Sequence, residues 1–433
     1  MKYRFLMITF LASFFVEAQE IIPITKAEVL NRILENNGSI KISEQNVYAA
    51  KGDYSQSNAV ILPNISISHT GIVTTNPLMA FGSKLNQEIL TQNDFNPALL
   101  NNPSQTQNYT TTIAIQQPLI NLDGIYQRKA AKTKLIATSE QAKRTKEHIS
   151  FEADKAYMKL QLSYKVLETL EVIKRAVLEN MRLAENKFKQ GYLQKADVLA
   201  IQIRVSEIEN QLQYAKSAII NASNYVSYLM NSSRDVVLKP TDNLMVLPID
   251  ITNEDVSKER SDIKAMLLAS KAHQTLYMAN KMTFLPTLNA FGSYDLYDDK
   301  LFAGNAGGYL VGVQLSWTIL EGNKRFGKVQ KSKANYQKSK LEYQQYVSKS
   351  DLEYQQAKRA LLDAKNNINL SELALRQSKE SLRIRTNRFK QGLERTTDLL
   401  LSEKQYAEKQ LQYYQTVFNY NYAQSYLQFL TKG

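Results

Sequence analysis

The sequence predicts a mainly α-helical chain with a small transmembrane β part. No proline lies between Pro118 and Pro240 and none follows Pro286, which leaves two long stretches suited to helices. Four short segments alternate between apolar and polar side chains, as membrane strands do. Four strands are too few to close a barrel, because the smallest barrels have about eight. We therefore predict a long α-helical tunnel plus four strands per chain that need further subunits to close; three copies would give a twelve-stranded trimeric β-barrel.

The first 18 residues have the features of a secretory signal peptide. Lys2 and Arg4 precede an apolar run over residues 5–16, and Val16-Glu17-Ala18 fits a cleavage site. The mature protein would then begin near Gln19. No other segment approaches the roughly 18 uninterrupted apolar residues that a membrane helix needs, so any membrane crossing must use strands.

The composition excludes several classes of function. The chain has no cysteine, and its three histidines, His69, His148 and His273, lie dozens of residues apart. No metal-ligand spacing, phosphate-binding loop or nucleophile with a base is present, so we predict no enzyme activity, no metal and no cofactor. The net charge is +13. An exported protein meets no nucleic acid, so we interpret the cations as solvated helix faces or, alternatively, as the lining of a pathway for anionic solutes.

The first repeat is predicted to span residues 19–231. A helix over residues 25–59 precedes a strand over 64–74, an irregular exposed loop over 75–107, and a second strand that Pro118 closes. A helix of about 67 residues follows, over residues 124–190, and would be on the order of 100 Å long. Apolar residues at every seventh position indicate helices that pack side by side, and the next helix, which ends near Asn231, continues that period.

Residues 232–253 carry Pro240 and Pro248 and are predicted to connect the halves. The second repeat, residues 254–433, follows the same plan. A helix ends near Pro286, two alternating strands flank a shorter loop, and two long helices complete the chain. Three tyrosines at heptad spacing, Tyr406, Tyr413 and Tyr420, are expected to pack between helices rather than to line a drug path.

A twelve-residue stretch that begins at Phe188 and ends at Leu199 occurs again from Phe389 to Leu400. Each copy lies between two helical patterns. Its glycine, Gly191 or Gly392, can take the left-handed conformation that ends a helix, and the aspartate six residues later can cap the next one. Each copy is therefore predicted to be a tight turn between antiparallel helices.

The repeated turns, the paired strands and the alternation of long and short helices resemble the outer membrane efflux protein (TolC) family over the whole mature chain. The resemblance implies a homotrimeric channel-tunnel in the cell outer membrane, in contact with its lipid, with the tunnel in the periplasm. A periplasmic adaptor protein and an inner-membrane transporter would complete a tripartite efflux or type I secretion system. The chain would be the passive exit duct, and the substrate stays open among drugs, metals and proteins.

The same resemblance implies site residues. Adaptor hairpins would contact the tip of the tunnel at six residues: Gly191, Asp197, Leu199, Gly392, Asp398 and Leu400. Asp398 would also gate the tunnel, but relatives carry a second acid three residues later, where this chain has Leu401. Relatives can pair the first-repeat aspartate with a tyrosine, and Phe389 stands at that position, so this lock is expected to be missing.

Two further interpretations remain at this stage. The strand aromatics could form a girdle at the membrane interface or, alternatively, serve ordinary packing of the sheet; they are Phe291, Tyr294, Tyr297, Tyr309 and Trp317. The alternative function is an exported coiled-coil structural or adhesive rod, which explains the heptads and the signal but leaves four amphipathic strands without a purpose.

Overall fold

The computed structural model describes residues 20–248 and 255–432. The chain divides into two compact units, each built from separate segments of both halves of the sequence. The described residues of Met1–Ser43, Lys143–Arg260 and Lys349–Gly433 form the first unit, and Glu44–Ala142 and Ser261–Ser348 form the second. The predicted signal peptide and part of the predicted connector lie outside the described residues.

Helices dominate, as predicted. In chain order the elements are β1 (Ile21–Ile24), α1 (Lys26–Asn36), α2 (Gly38–Gln56), β2 (Asn64–Thr74), α3 (Pro77–Asn86), α4 (Pro97–Asn101), β3 (Thr106–Ile120), α5 (Leu122–Lys189), α6 (Lys195–Leu229), β4 (Val237–Pro240), α7 (Ser261–Met282), β5 (Thr287–Asp298), β6 (Ala306–Ser316), α8 (Lys324–Lys390) and α9 (Thr396–Thr431). The two long helices are confirmed, with 68 residues in α5 and 67 in α8. In the described part of the chain, no helix combines the length and apolar character needed to cross a membrane.

The four predicted strands form one antiparallel sheet in the order β2-β3-β5-β6, so β2 and β6 are its edges. Strand β3 continues past Pro118, where we predicted its end, to Ile120. The register shifts between these two residues. Such a shift forms a β-bulge. A proline is accepted there because it has no N–H to donate to the neighbouring strand.

The register places the apolar sides of all four strands on one face. One cross-strand row joins Ile65, Ile115, Gly292 and Val311, and the next joins Ile67, Ile113, Tyr294 and Tyr309. The opposite face carries Ser68, Thr112, Asp295 and Gly308. There the Thr112 hydroxyl donates to Asp295 Oδ1 at 2.5 Å. The apolar face is open in the single chain, since Ile67 is 72% exposed and Val311 70%.

The aromatic residues of the strands do not form the single girdle that we expected. Tyr294 and Tyr309 lie on the apolar face, but Phe291 and Tyr297 lie on the face of Asp295 because side chains alternate along a strand. Trp317 follows the end of β6, and its indole nitrogen donates to the Phe284 carbonyl at 3.0 Å.

The segment predicted as an irregular loop is exposed but contains helices α3 and α4. Each begins with an Asn-Pro pair, in which the asparagine side chain caps the helix and the proline takes the first helical position. The Gln87 amide donates to Asn108 Oδ1 at 2.8 Å and anchors the segment to the end of the sheet. The prediction of an irregular loop is therefore wrong, because these capping pairs were not recognised.

Residues near the N-terminus are also more complex than predicted. The helix expected over residues 25–59 breaks at Asn37, whose side-chain amide donates to the Leu229 carbonyl at 2.8 Å. Strand β1 pairs in parallel with β4, which lies inside the predicted connector. Beside this pair is a buried apolar cluster, which we call the first-repeat core: Ile24, Val29, Ile33, Ile40, Ile149, Ala153, Ala156, Tyr157, Leu160, Val226, Leu229, Met230 and Leu238.

Tyrosine packing in the second repeat agrees with the expectation for Tyr420. Tyr420 is 2% exposed and belongs to a buried cluster with Tyr354, Leu361 and Leu427. Tyr413 is half-buried against Val417 and Leu162. The heptad spacing thus identified helix-packing positions.

Candidate functional site

The first repeated turn ends α5 with a left-handed glycine. Gly191 has φ 79°. Its N–H donates to the Phe188 carbonyl at 2.9 Å, and the Tyr192 N–H donates to the Lys187 carbonyl at 2.8 Å. These two bonds define a Schellman motif, which satisfies carbonyls that the last helical turn leaves without a partner. The predicted helix stop at Gly191 is confirmed.

The second turn repeats this geometry at the end of α8. Gly392 has φ 77°. Its N–H donates to the Phe389 carbonyl at 3.1 Å, and the Leu393 N–H donates to the Arg388 carbonyl at 2.9 Å. The same backbone conformation 201 residues apart shows that the sequence repeat encodes a repeated turn.

The two aspartates do not occupy the capping position that we predicted. Gln194 and Arg395 are the N-cap residues of α6 and α9, so Asp197 and Asp398 lie at the third helical position. The Asp197 carboxylate accepts a hydrogen bond from the Gln194 N–H at 3.2 Å. An acid in the first turn also interacts favourably with the positive end of the helix dipole. Asp197 therefore forms the second half of a capping box at the start of α6, and Asp398 stabilises the start of α9 through the helix dipole.

Both turns contribute to one buried apolar cluster, which we call the tip core. Its fully buried members include Ala184, Ile201, Phe389 and Leu399, and the half-buried Leu193 and Leu400 pack against it. The structure thus brings the two turns together. The predicted contact residue Leu199 is 47% exposed instead, and Tyr192 and Leu393, each directly after a turn glycine, are 78% and 62% exposed.

Phe389 makes a contact that sequence reasoning missed. Its side chain is 1% exposed within the tip core. The Lys187 ammonium, at the end of α5, donates to the Phe389 carbonyl and lies 4.7 Å from the centre of its ring. One lysine therefore joins the ends of the two long helices through a carbonyl hydrogen bond and a cation–π contact.

Two arginines near the end of α8 bind a glutamate in the second turn. Arg385 Nη1 lies 2.7 Å from Glu394 Oε1, and Arg388 Nε lies 2.8 Å from Glu394 Oε2. A further bond from Arg388 Nη2 reaches the Leu393 carbonyl at 3.1 Å. The first turn has Leu193 where the second has Glu394, so this ion-pair clamp distinguishes the two repeats.

A buried ion pair joins α6 to α9 near the turns. Arg204 Nε lies 2.8 Å from Glu403 Oε2, and Arg204 Nη2 lies 3.2 Å from Oε1. The side chains are 8% and 2% exposed. Burial opposes the charge on Arg204, but hydrogen bonds and charges from Glu403 and Glu207 outweigh it and raise the pKa of the guanidinium above its ordinary value.

The sequence of this chain matches the model of one known protein family. The sequence model of the outer membrane efflux protein family matches residues 29–232 and 254–431, which is most of the chain. The chain belongs to this family. No curated protein sequence matches it significantly.

Solved structures of outer membrane channels share the fold. The CmeC outer membrane channel of Campylobacter jejuni is 16% identical, with 94% of this chain and 85% of that chain covered and a TM-score of 0.81. The outer membrane protein VceC of Vibrio cholerae is 16% identical, with 94% and 96% covered and a TM-score of 0.81. CusC is 14% identical, with 94% and 92% covered and a TM-score of 0.81. The chain therefore has the mainly α fold with a small β part that the sequence predicted.

Two residues that the family resemblance singled out as departures lie near the turns. Leu401, at the position where the resemblance gives relatives a second acid, is 55% exposed. Phe389 offers no hydroxyl to Asp197, and its contact is with Lys187 instead. Among the described residues, no cluster of His, Asp or Glu is suited to bind a metal ion.

Gly392→Val is expected to disturb the second turn through the backbone alone. A side chain added at Gly392 would meet no atom within 4 Å, so its cost is the left-handed conformation, about 1–2 kcal/mol. Amide hydrogen exchange should accelerate at the end of α8 and the start of α9 in the purified protein. The control is Gly392→Asn, since asparagine tolerates this conformation. Equal exchange in both variants and in wild type would contradict the assignment.

Proposed function

We propose that the chain is the outer-membrane duct of a tripartite efflux or type I secretion system. Three copies form a twelve-stranded barrel with a helical tunnel in the periplasm. Substrates pass through it passively, delivered by an inner-membrane transporter and a periplasmic adaptor protein. The duct itself performs no chemistry and takes no cofactor. Membership of the outer membrane efflux protein family supports this assignment.

One structural observation carries the proposal. The four-stranded sheet has two free edges, β2 and β6, and one open face rich in isoleucine, valine and tyrosine. Free edges in a membrane are costly because their backbone groups lack partners, and a closed barrel removes them. Three sheets joined edge to edge give twelve strands, and the apolar face then contacts lipid.

The two turns are the proposed adaptor contact. Gly191, Asp197, Leu199, Gly392, Asp398 and Leu400 lie on or beside them, and the exposed Tyr192 and Leu393 add apolar surface at the same place. The segment that contains α3 and α4 is at the other end of the strands from α5, so we propose that it faces the cell exterior. As adaptor contacts, the turns are proposed to lie in the periplasm.

Disulfide cross-linking tests the trimer directly, because the chain has no cysteine of its own. Ser68→Cys on edge β2 is combined in turn with cysteine at Gly308, Leu310, Gly312 and Gln314 of edge β6. All five positions share the polar face of the sheet. At least one pair should give a covalent trimer in outer membranes, whereas each single variant should remain monomeric on denaturing gels.

The alternative, an exported structural or adhesive rod, makes the opposite prediction. A rod has no reason to join β2 of one copy to β6 of another, and carbonate should release it from membranes. A duct requires detergent for extraction. If no pair in the series forms a trimer and carbonate extracts the protein, the duct is excluded and the rod is favoured.

Asp398→Asn tests whether the tip aspartate also acts as a gate. Asp398 is at the third position of α9, so the exchange removes a charge at a cost of only about 0.3–1 kcal/mol from the helix dipole. Three carboxylates near a narrow axis attract cations, so the variant should lose cation preference in planar bilayers. The control is Asp197→Asn in the first repeat. Unchanged selectivity for Asp398→Asn would show that Asp398 only stabilises its helix.

A further inference from the structure

The second unit contains a groove of about 1050 Å³ that four helices line together. Helix α2 leads into β2, α5 follows β3, α7 leads into β5 and α8 follows β6. The helices therefore follow the order of the strands in the sheet. Four helices that line one groove together must form an arc, and in the proposed trimer such an arc would turn its hollow side inward.

The lining of this groove combines apolar and cationic side chains. Seven alanines, Met266 and Leu276 are its apolar residues, and the small alanine side chains leave room for a solute. Lys134, Lys328, Lys331 and His273 are the basic residues in the lining, and Asp53 is its only acid within the described residues.

The charges of the groove do not balance. Asp53 Oδ2 lies 3.1 Å from Lys134 Nζ, so this pair compensates itself. Within the described residues, neither Lys328 nor Lys331 lies within ion-pair distance of a carboxylate. Both lysines are exposed and lie almost one helical turn apart on α8. Each subunit therefore presents two lysines that have no ion-pair partner among the described residues, beside apolar side chains.

We infer that this groove binds small organic anions that have an apolar body, such as aromatic sulfonates or carboxylates, as they pass along the duct. The apolar body packs against the alanines, and Lys328 and Lys331 bind the acidic group. That the anions reach the groove by passing along a duct rests on the proposed function, whereas binding in the groove does not depend on conduction. Three subunits would provide six such lysines at one level of the tunnel.

Calorimetric titration with matched probes tests this inference. The full protein in lipid nanodiscs is titrated with naphthalene-1-sulfonate and with naphthalen-1-ylmethylammonium, which share an apolar body and differ in charge. Wild type should bind the anion and not the cation. The double variant Lys328→Gln/Lys331→Gln should weaken anion binding about tenfold or more, as expected for the loss of two nearby charges.

The control removes the same charge from the same helix outside the groove. Lys333→Gln/Lys340→Gln should leave anion binding at the wild-type level, because neither residue lines the groove. Equal loss in the two double variants would show a general effect of net charge and overturn the inference. Equal binding of both probes by wild type would overturn it as well, without any variant.

A second measurement separates this inference from the proposed function. Naphthalene-1-sulfonate added to planar bilayers should block wild-type current and block the Lys328→Gln/Lys331→Gln channel about tenfold less well. A protein that forms no channel yet binds the anion in nanodiscs would refute the duct and retain the groove. A conducting channel with no preference for the anion in either assay would refute the groove and retain the duct.

Discussion

Glu403→Ala is expected to destabilise the contact between α6 and α9 by about 3–5 kcal/mol, because it leaves the Arg204 charge buried without its main partner. Arg204 is only 8% exposed at its side chain, so water cannot replace the lost carboxylate. Glu207 remains at 3.1 Å, but it is half exposed and pairs with one nitrogen only. The measurement is amide hydrogen exchange of α6 and α9 in the purified protein, which reports local opening free energy.

Two controls separate charge burial from general sensitivity of the helices. Glu179→Ala removes one partner of the exposed pair with Arg182, where the side chains are 53% and 63% exposed, and exchange should stay near wild type. The double variant Arg204→Met/Glu403→Met replaces the buried pair with apolar groups and should recover most of the loss. If Glu403→Ala behaves like Glu179→Ala, the pair does not stabilise the fold.

Phe389→Ala is expected to cost about 3–5 kcal/mol and to loosen the tip. The ring is 1% exposed in the tip core, where it packs among residues of both repeats, and its removal leaves a cavity. The Lys187 cation–π contact is lost at the same time. Because the ends of α5 and α8 are then less firmly joined, the resting conductance of the reconstituted channel should rise.

Lys187→Met distinguishes the two contributions to this effect. It keeps an apolar stem but removes the hydrogen bond to the Phe389 carbonyl and the cation–π contact, each worth about 1 kcal/mol. Conductance should therefore rise less than in Phe389→Ala, and the loss of thermal stability should also be smaller. A Phe389→Ala protein with wild-type conductance and hydrogen exchange would show that the tip core does not limit flow through the proposed duct.

Structural features that depend on neighbouring residues alone could be predicted from the sequence. Gly191 and Gly392 were predicted correctly because a left-handed residue at a helix end is a property of one position and its neighbours. The strand faces were predicted by alternation, and the register then joined Ile67, Ile113 and Tyr294 as one row. The girdle was wrong for Phe291 and Tyr297 because composition was considered there without the two-residue period.

Contacts between distant residues could not be read from one sequence. Arg204 and Glu403 are 199 residues apart, and nothing in their local pattern marks them as partners. The same holds for Lys187, whose partner Phe389 is 202 residues away.

The error about the N-cap residues has a local cause. Gln194 and Arg395 are unusual N-cap residues, so the nearest aspartate was chosen although the helix begins earlier.

The parallel pairing of β1 with β4 sets an order of folding events. Every residue of the first-repeat core comes from residues 24–238, and the pairing is complete at Pro240. A chain that emerges from its N-terminus can therefore close this core before any of the second repeat is available. The tip core is different, because it needs Phe389 and Leu399 and must wait for almost the whole chain. The turns that we propose to meet the adaptor are thus completed after the first-repeat core.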